Sequence, residues 1–191
     1  MKEFVTERLR LRGWRRDDAP LLAAMNADPE VMRYIGTGAK SYVEALERAE
    51  SLVRERPRDG FGLWAIEERA IEESGTGVFH GWAGLFPLDD TQEIELAYRL
   101  AKSSWGRGIA TEAARPLLAY GFDELRLDPI AAVTAPENRA SRRVLDKLGF
   151  RYQGLRSAYG VEGCCYYTLA KAAWRRIEAE SRASGQSASP P

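Results

Sequence analysis

The stretch from Trp105 to Phe122, WGRGIATEAARPLLAYGF, constrains the fold of this chain more than any other. Two glycines, Gly106 and Gly108, precede a pattern in which apolar residues recur at helical spacing. A glycine-rich turn that leads into a helix leaves backbone N–H groups free at the positive end of the helix dipole. Glycine also lets a bulky ligand approach the backbone closely. The stretch therefore predicts a helix over 109–122 whose start can bind a phosphate.

This signal has a second interpretation, because a Gly-x-Gly turn before a helix is also a common tight turn. It is not a Walker A loop, since no Gly-Lys-Ser/Thr follows the glycines. It is not a dinucleotide fingerprint either, since Thr111 occupies the place of the third glycine. The motifs elsewhere in the chain have to decide between the turn and the phosphate site.

The composition fits one globular domain, which we expect to span 1–183. The chain has 191 residues, of which 45% are hydrophobic, enough for a single core. Its 28 basic residues balance 28 acidic ones, so no basic field favours a nucleic acid. No apolar run is long enough to span a membrane, and the N-terminus lacks a signal-peptide core. Adjacent Cys164 and Cys165 with a single histidine, His80, argue against a metal site. We therefore expect a cytoplasmic protein without nucleic acid, membrane anchor or metal.

Hydrophobic periodicity and turn residues predict strands and helices along the whole chain. Strands are expected over 6–14, 61–67, 78–86, 92–100, 128–134, 150–156 and 164–169. Helices are expected after Asp17 or Asp18, around 30–34, over 41–56, 109–122 and 138–148, and around Trp174. The helix over 41–56 opens with a capping box, Ser41-x-x-Glu44. Residues 68–77 are expected to form a mobile hairpin loop, and 184–191 a disordered tail.

The strand over 92–100 has two unequal faces. Its apolar face carries Ile94, Leu96, Tyr98 and Leu100, and its other face carries Glu93, Glu95, Ala97 and Arg99. An edge strand with a solvated face accounts for this alternation. A central strand whose polar face lines a cleft accounts for it equally well, so the spacing leaves both interpretations open.

Four motifs in order resemble the GNAT acetyltransferases, and within them the branch of the ribosomal-protein N-terminal (RimJ/RimL-type) acetyltransferases. The motifs are the opening Thr6-Glu7-Arg8-Leu9, the strand Glu95-x-x-Tyr98, the loop WGRGIATEA, and the helix Asn138-x-x-Ser141 followed by Lys147-Leu148-Gly149-Phe150. The resemblance covers roughly residues 5–174.

The resemblance implies an α/β (α+β) fold with a mixed, twisted central sheet of about seven strands and helices on both faces. Two adjacent parallel strands splay apart, and acetyl-CoA enters the gap as the co-substrate. The loop after Trp105 would bind the pyrophosphate, the strand end at Tyr98 would pair with the pantetheine arm, and Asn138 would hydrogen-bond that arm. The expected binding residues are Tyr98, Arg99, Leu100, Trp105, Gly106, Arg107, Gly108, Ile109, Ala110, Thr111, Asn138 and Ser141.

Two side chains are candidates for catalysis. Many GNAT members have a tyrosine at the position of Leu145 that protonates the leaving thiolate, so Ser141, or a water it holds, would take that role here. Glu95 would accept the proton of the amine, directly or through one water. Arg99 on the same strand face could instead pair with Glu95 and lower its pKa. As single residues, Asn138 also fits a helix N-cap, Ser141 a first-turn serine and Glu95 a solvated carboxylate.

The resemblance implies direct transfer of an acetyl group from acetyl-CoA to a primary amine, and three functions stay open. The favoured one is acetylation of the N-terminal amine of a protein. The second is acetylation of a small amine such as a polyamine, an amino sugar or an amino acid, and the third is a catalytically weak acyl-CoA sensor. The acceptor is expected to contact the segments before Phe61 and over 157–163. Trp64, Trp82 and Tyr34 are interpreted as core residues, and a homodimer is left open.

Overall fold

The computed structural model describes residues 2–54, 60–69 and 77–186. These residues form eight β-strands, five α-helices and a short 3₁₀ turn at Lys102–Ser104. The strands are β1 (Phe4–Val5), β2 (Leu9–Arg12), β3 (Gly62–Glu68), β4 (Phe79–Pro87), β5 (Ile94–Leu100), β6 (Ile130–Thr134), β7 (Arg151–Ala158) and β8 (Val161–Leu169). The helices are α1 (Asp18–Ala27), α2 (Tyr42–Arg54), α3 (Ile109–Asp123), α4 (Arg139–Leu148) and α5 (Lys171–Gln186).

All eight strands belong to one mixed sheet with the order β1-β2-β3-β4-β5-β6-β8-β7. Strands β5 and β6 are its parallel pair, since α3 carries the chain back between them. Their ladder consists of the single pair Glu95–Ala131, so the two strands diverge beyond that point. The expected splayed, mixed sheet is confirmed, and the eighth strand is the two-residue β1, which is too short to be seen in the sequence pattern.

Helices cover both faces of the sheet because β4 and β5 alternate their apolar side chains. On one face, Ala83 and Leu85 of β4 pack with Leu117 of α3 in the main core, which α4 and α5 also join. On the other face, Trp82 packs with Leu22 of α1 in a second cluster that includes α2. The strand β5 is therefore central, and the edge-strand interpretation of residues 92–100 is wrong.

The elements differ from the sequence expectations at a few boundaries. The strand expected over 6–14 is confined to β2, and the helix expected around 30–34 is a series of turns. The capping box is present, because Ser41 N donates to Glu44 Oε2 at 3.0 Å and Glu44 N donates to Ser41 Oγ at 3.3 Å. Helix α5 continues to Gln186, into the segment expected to be disordered. Residues 187–191, and 70–76 of the expected loop, lie outside the described residues.

Over the residues with a described structure, none of the helices combines the length and apolar content that crossing a membrane requires. In the same residues, no three His, Cys, Asp or Glu side chains come together as a group that could hold a metal ion.

Candidate active site

The glycine loop before α3 has a backbone conformation that requires glycine. Gly106 and Gly108 have φ angles of 74° and 78°, in the left-handed region that L side chains rarely adopt. Gly108 is the residue before α3, and its carbonyl accepts the first intrahelical bond, from Glu112 N at 3.0 Å. Apart from Gly106 and its two chain neighbours, no atom of the described residues lies within 4 Å of the place where a Cβ on Gly106 would sit. The loop can therefore bring backbone N–H groups against a phosphate.

The N-terminal motif supports this loop and the start of α3 from about a hundred residues away in the sequence. Glu112, in the first turn of α3, accepts hydrogen bonds from Thr6 Oγ1 at 2.5 Å and from Arg8 Nε at 2.7 Å. Arg8 also donates from Nη2 to the carbonyl of Arg107 at 3.1 Å. The opening Thr6-Glu7-Arg8-Leu9 thus fixes the loop and the start of α3 relative to β2.

A cavity of about 340 Å³ lies between the glycine loop, β5, α4 and residues 30–35. Its volume falls in the range of ligand pockets. Most of the residues expected to bind the donor line it: Tyr98, Arg99, Leu100, Trp105, Gly106, Gly108, Ile109, Ala110, Thr111, Asn138 and Ser141. Arg107 does not, and its guanidinium lies 3.6 Å from Glu68 Oε1 instead. Tyr34, interpreted as core, also lines the cavity, whereas Trp64 and Trp82 are buried.

The cavity suits a phosphate-bearing donor with a narrow arm. Its glycine loop offers free N–H groups at a helix start, and the gap between β5 and β6 beyond Glu95 offers an unpaired strand edge. Ile109 and Ala110 are apolar residues that line the cavity beside the loop. The residues present therefore fit acetyl-CoA.

Asn138 and Ser141 are linked to each other and to Tyr98. Asn138 Oδ1 accepts a hydrogen bond from Ser141 N at 3.0 Å, so Asn138 is the N-cap of α4. The Ser141 hydroxyl lies 2.9 Å from the Tyr98 hydroxyl, which also donates to the Ser141 carbonyl at 3.2 Å. Burial raises the pKa of Tyr98, so this phenol keeps its proton. Leu145, by contrast, is buried in the main core.

Glu95 is a buried carboxylate at the point where β5 and β6 separate. It is only 2% exposed, and burial raises its pKa to about 7, while the hydrogen bond from Tyr159 opposes that rise and the charge of Asp89 adds to it. The Tyr159 hydroxyl donates to Glu95 Oε1. The interpretation of Glu95 as a solvated carboxylate is therefore wrong, and its pKa lies near the pH at which a general base is most useful.

Arg99 does not pair with Glu95. Its Nη1 donates to Asn26 Oδ1 of α1 at 2.8 Å, and its guanidinium lies 5.3 Å from the ring centre of Trp82. The ion pair that would have lowered the pKa of Glu95 is therefore replaced by contacts to an amide and an indole ring.

Two positions away from Glu95, Glu93 has the opposite electrostatic environment. Its carboxylate accepts hydrogen bonds from the Tyr166 hydroxyl and from the Arg156 guanidinium. Chiefly the first of these lowers the pKa of Glu93, so Glu93 is ionised at neutral pH. Two carboxylates on one strand face are thus separated in pKa, which is a recurring feature of acid–base sites.

Tyr159 is a site residue that the sequence did not reveal, since only its segment, 157–163, was expected near the acceptor. It lies in the turn between β7 and β8 with a φ of 53°, and its backbone N donates to Asp89 Oδ2 at 2.7 Å. This conformation is uncommon for a non-glycine residue. No spacing rule links residue 159 to residue 95, because the contact depends on how the β7–β8 turn packs against β5.

Comparison with known proteins agrees with this geometry. Residues 8–151 match the family described as "Acetyltransferase (GNAT) domain". The chain is 37% identical over 153 residues to "Uncharacterized protein YkkB" of Bacillus subtilis (strain 168), covering 78% of this chain and 86% of that protein. It is 33% identical over 159 residues to "Uncharacterized N-acetyltransferase YoaA" of the same organism, covering 81% of this chain and 85% of that protein. A solved structure, the acetyltransferase from Agrobacterium tumefaciens str. C58, has a TM-score of 0.74 at 25% identity, over 90% of this chain and 95% of that chain.

Proposed function

The chain belongs to the GNAT acetyltransferase family and is an acetyl-CoA-dependent N-acetyltransferase, and from that premise we propose that it acetylates the N-terminal amine of a protein. The transfer is direct: the amine nitrogen forms a bond to the acetyl carbon, the bond from that carbon to sulfur breaks, and the amine loses a proton. Glu95 takes this proton, and Ser141 supplies one to the departing thiolate.

The observation that carries this proposal is the buried carboxylate of Glu95, whose pKa is about 7. A peptide α-amine has a pKa of about 8, so such a base can deprotonate it at a cost of roughly one pKa unit. A lysine-like amine has a pKa of about 10.4, and the cost then rises to more than three units, or about 4–5 kcal/mol. The basicity of Glu95 therefore suits an α-amine better than an alkylamine.

The donor would be held by residues of the glycine loop and α4. The N–H groups that follow Gly108 would hold the pyrophosphate, and Asn138 and the edge of β5 at Tyr98 would hold the pantetheine arm. The donor supplies the activated acetyl group, while the protein positions the two reactants and moves the protons. The Tyr98 hydroxyl, 2.9 Å from the Ser141 hydroxyl, can pass a proton to it as Ser141 donates its own.

The test is an acceptor screen with wild type and Glu95→Gln, using N-terminal peptides and small amines at several pH values. We expect peptides to be the better acceptors. We expect Glu95→Gln to lower kcat/KM by roughly 10²-fold while acetyl-CoA affinity is kept, with a deficit that narrows at high pH because the amine then deprotonates unaided.

Glu93→Gln is the matched control. It removes a nearby carboxylate that is already ionised and hydrogen-bonded to Arg156 and Tyr166. It should leave the pH profile in place. A preference for polyamines or amino sugars would instead establish the small-amine function. A protein that binds acetyl-CoA and acetylates nothing in the screen would establish the sensor function and reject the proposed one.

A further inference from the structure

We propose that the acceptor carries an anionic group, a carboxylate or a phosphate, in addition to its amine, and that Arg99 binds this group. The inference rests on the proposed function, because it adds a second contact to the same acceptor. It concerns the side chain of Arg99, which lies on the side of β5 opposite to Tyr98 and Ser141.

Arg99 is a partly buried cation with no anionic partner among the described residues. No carboxylate of residues 2–54, 60–69 and 77–186 forms a salt bridge with it, and Asn26 is its hydrogen-bond partner. Its Nε is buried and makes no hydrogen bond within those residues. Burial lowers the pKa of the guanidinium to about 10, so the side chain is still charged at neutral pH. An uncompensated buried charge costs several kcal/mol, and a buried donor without an acceptor adds to that cost.

The position of Arg99 indicates that a ligand supplies the missing charge. Arg99 lines the 340 Å³ cavity together with Tyr34 and Ile35. Arginine presents a planar fork of N–H donors that matches a carboxylate or a phosphate. An anion entering the cavity would therefore neutralise the guanidinium.

The anion could belong to either of two molecules, the acceptor or the donor with its phosphates. The direction of the Arg99 side chain favours the acceptor. Neighbouring Tyr98 points to α4, where it bonds Ser141, whereas Arg99 points to the opposite face, where it bonds Asn26 of α1. The glycine loop opens α3, which packs on the Tyr98 face. The phosphate-binding N–H groups therefore lie on the α3 and α4 side of the cavity, whereas the Arg99 guanidinium lies on its α1 side.

Glu95 and Arg99 share a strand face, which suggests how an acceptor would lie. Four residues of strand separate their Cα atoms by roughly 13 Å. Ala97, between them, is small and only partly buried. An extended peptide whose amine reaches Glu95 would place its third or fourth residue near Arg99, so a carboxylate there is the expected feature.

The experiment measures binding of unreacted peptides to CoA-saturated protein by calorimetry. The probes are tetrapeptide amides with a free amine in which glutamine at position two, three or four is exchanged for glutamate. Wild type should bind at least one glutamate peptide roughly tenfold more tightly than its glutamine twin, the most at position three or four. Arg99→Met should lose this preference, and Arg99→Lys should keep part of it. Loss of the preference in Arg99→Met with unchanged acetyl-CoA affinity supports the proposal.

Arg143→Met is the matched control, because Arg143 lines the same cavity from α4. It should leave the glutamate preference intact. Equal binding of both peptide series to wild type, or a preference kept in Arg99→Met, overturns the proposal. Weaker acetyl-CoA binding in Arg99→Met with no change in peptide preference assigns the anion to the donor and overturns it as well. These binding measurements need no turnover, so they test the role of Arg99 independently of activity. Failure to acetylate any peptide would reject the proposed function but would not change the outcome of the binding test.

Discussion

Single residues in this site are tuned by their immediate neighbours. Glu93, just before β5, and Glu95, within β5, are two residues apart, yet the pKa of Glu93 is lowered by donors at its carboxylate and the pKa of Glu95 is raised by burial. The sequence predicted that both point to one face, but burial and hydrogen bonding decide which carboxylate has the higher pKa. The hydrogen bonds come from Tyr159, Arg156 and Tyr166, which lie more than sixty residues from Glu93 and Glu95 in the sequence.

Tyr159→Phe should make Glu95 a base that works only at higher pH. The phenol hydrogen bond lowers the pKa of Glu95, so its removal lets burial raise that pKa further. We expect the acid limb of the kcat/KM profile to move to higher pH. Below pH 7 the activity should fall roughly threefold to tenfold, with little change near pH 9, where Glu95 is ionised in both proteins.

Tyr166→Phe is the matched phenol variant, because its hydroxyl bonds Glu93 instead. The acid limb of the kcat/KM profile of Tyr166→Phe should lie at the same pH as that of wild type. If Tyr159→Phe lowers activity equally at every pH, Tyr159 acts on the acceptor or on the turn rather than on the protonation of Glu95.

Ser141→Ala should lower kcat by roughly 10²-fold and leave acetyl-CoA affinity nearly unchanged, since a proton donor to the leaving thiolate is lost. If Tyr98 passes its proton through Ser141, then Tyr98→Phe, Ser141→Ala and the double variant should show similar losses rather than additive ones. Rapid-mixing kinetics with a thiol reagent measures the effect. A wild-type rate in Ser141→Ala would leave Ser141 as a first-turn residue of α4 only.

At the level of elements, the site is assembled where a loop, a helix start and a strand end meet. The glycine spacing predicted the loop and α3, and the alternation over 92–100 predicted the two faces of β5. The sequence could not predict why the opening motif matters, because the contacts of Thr6 and Arg8 to Glu112 join elements that are distant in the chain. The prediction that Tyr34 is a core residue was also wrong, because Tyr34 lies in a turn segment that lines the cavity.

Gly108→Asp should weaken acetyl-CoA binding by at least tenfold, because it adds a side chain and a negative charge where the phosphate would lie. Gly108→Ala introduces the same strain at a φ of 78° without the charge, so the difference between the two variants isolates electrostatics. Calorimetry gives both affinities. Equal affinity of a folded Gly108→Asp protein and wild type would remove the loop from the donor site.

For the whole molecule, the ionised form of Glu95, the proposed base, reduces stability at neutral pH. Glu95 has a pKa of about 7 in the folded protein, raised from 4.5, so the folded state holds this proton more tightly than the unfolded state does. The resulting stabilisation is complete below about pH 4.5 and is lost as the pH rises through about 7. Its size is about 3 kcal/mol, from a shift of about 2.5 units (from 4.5 to about 7) at about 1.36 kcal/mol each.

Glu95→Gln should therefore remove a pH-dependent part of the free energy of unfolding. Denaturant unfolding of wild type and variant between pH 5 and 8 measures it, and the difference between the two proteins cancels the other titrating groups, such as His80, whose pKa burial lowers. We expect wild type to lose stability relative to Glu95→Gln as the pH rises, by roughly 1–3 kcal/mol over this range. Parallel curves would mean that Glu95 titrates near its ordinary value in the folded protein, and the acid limb of the kcat/KM profile would then belong to another group.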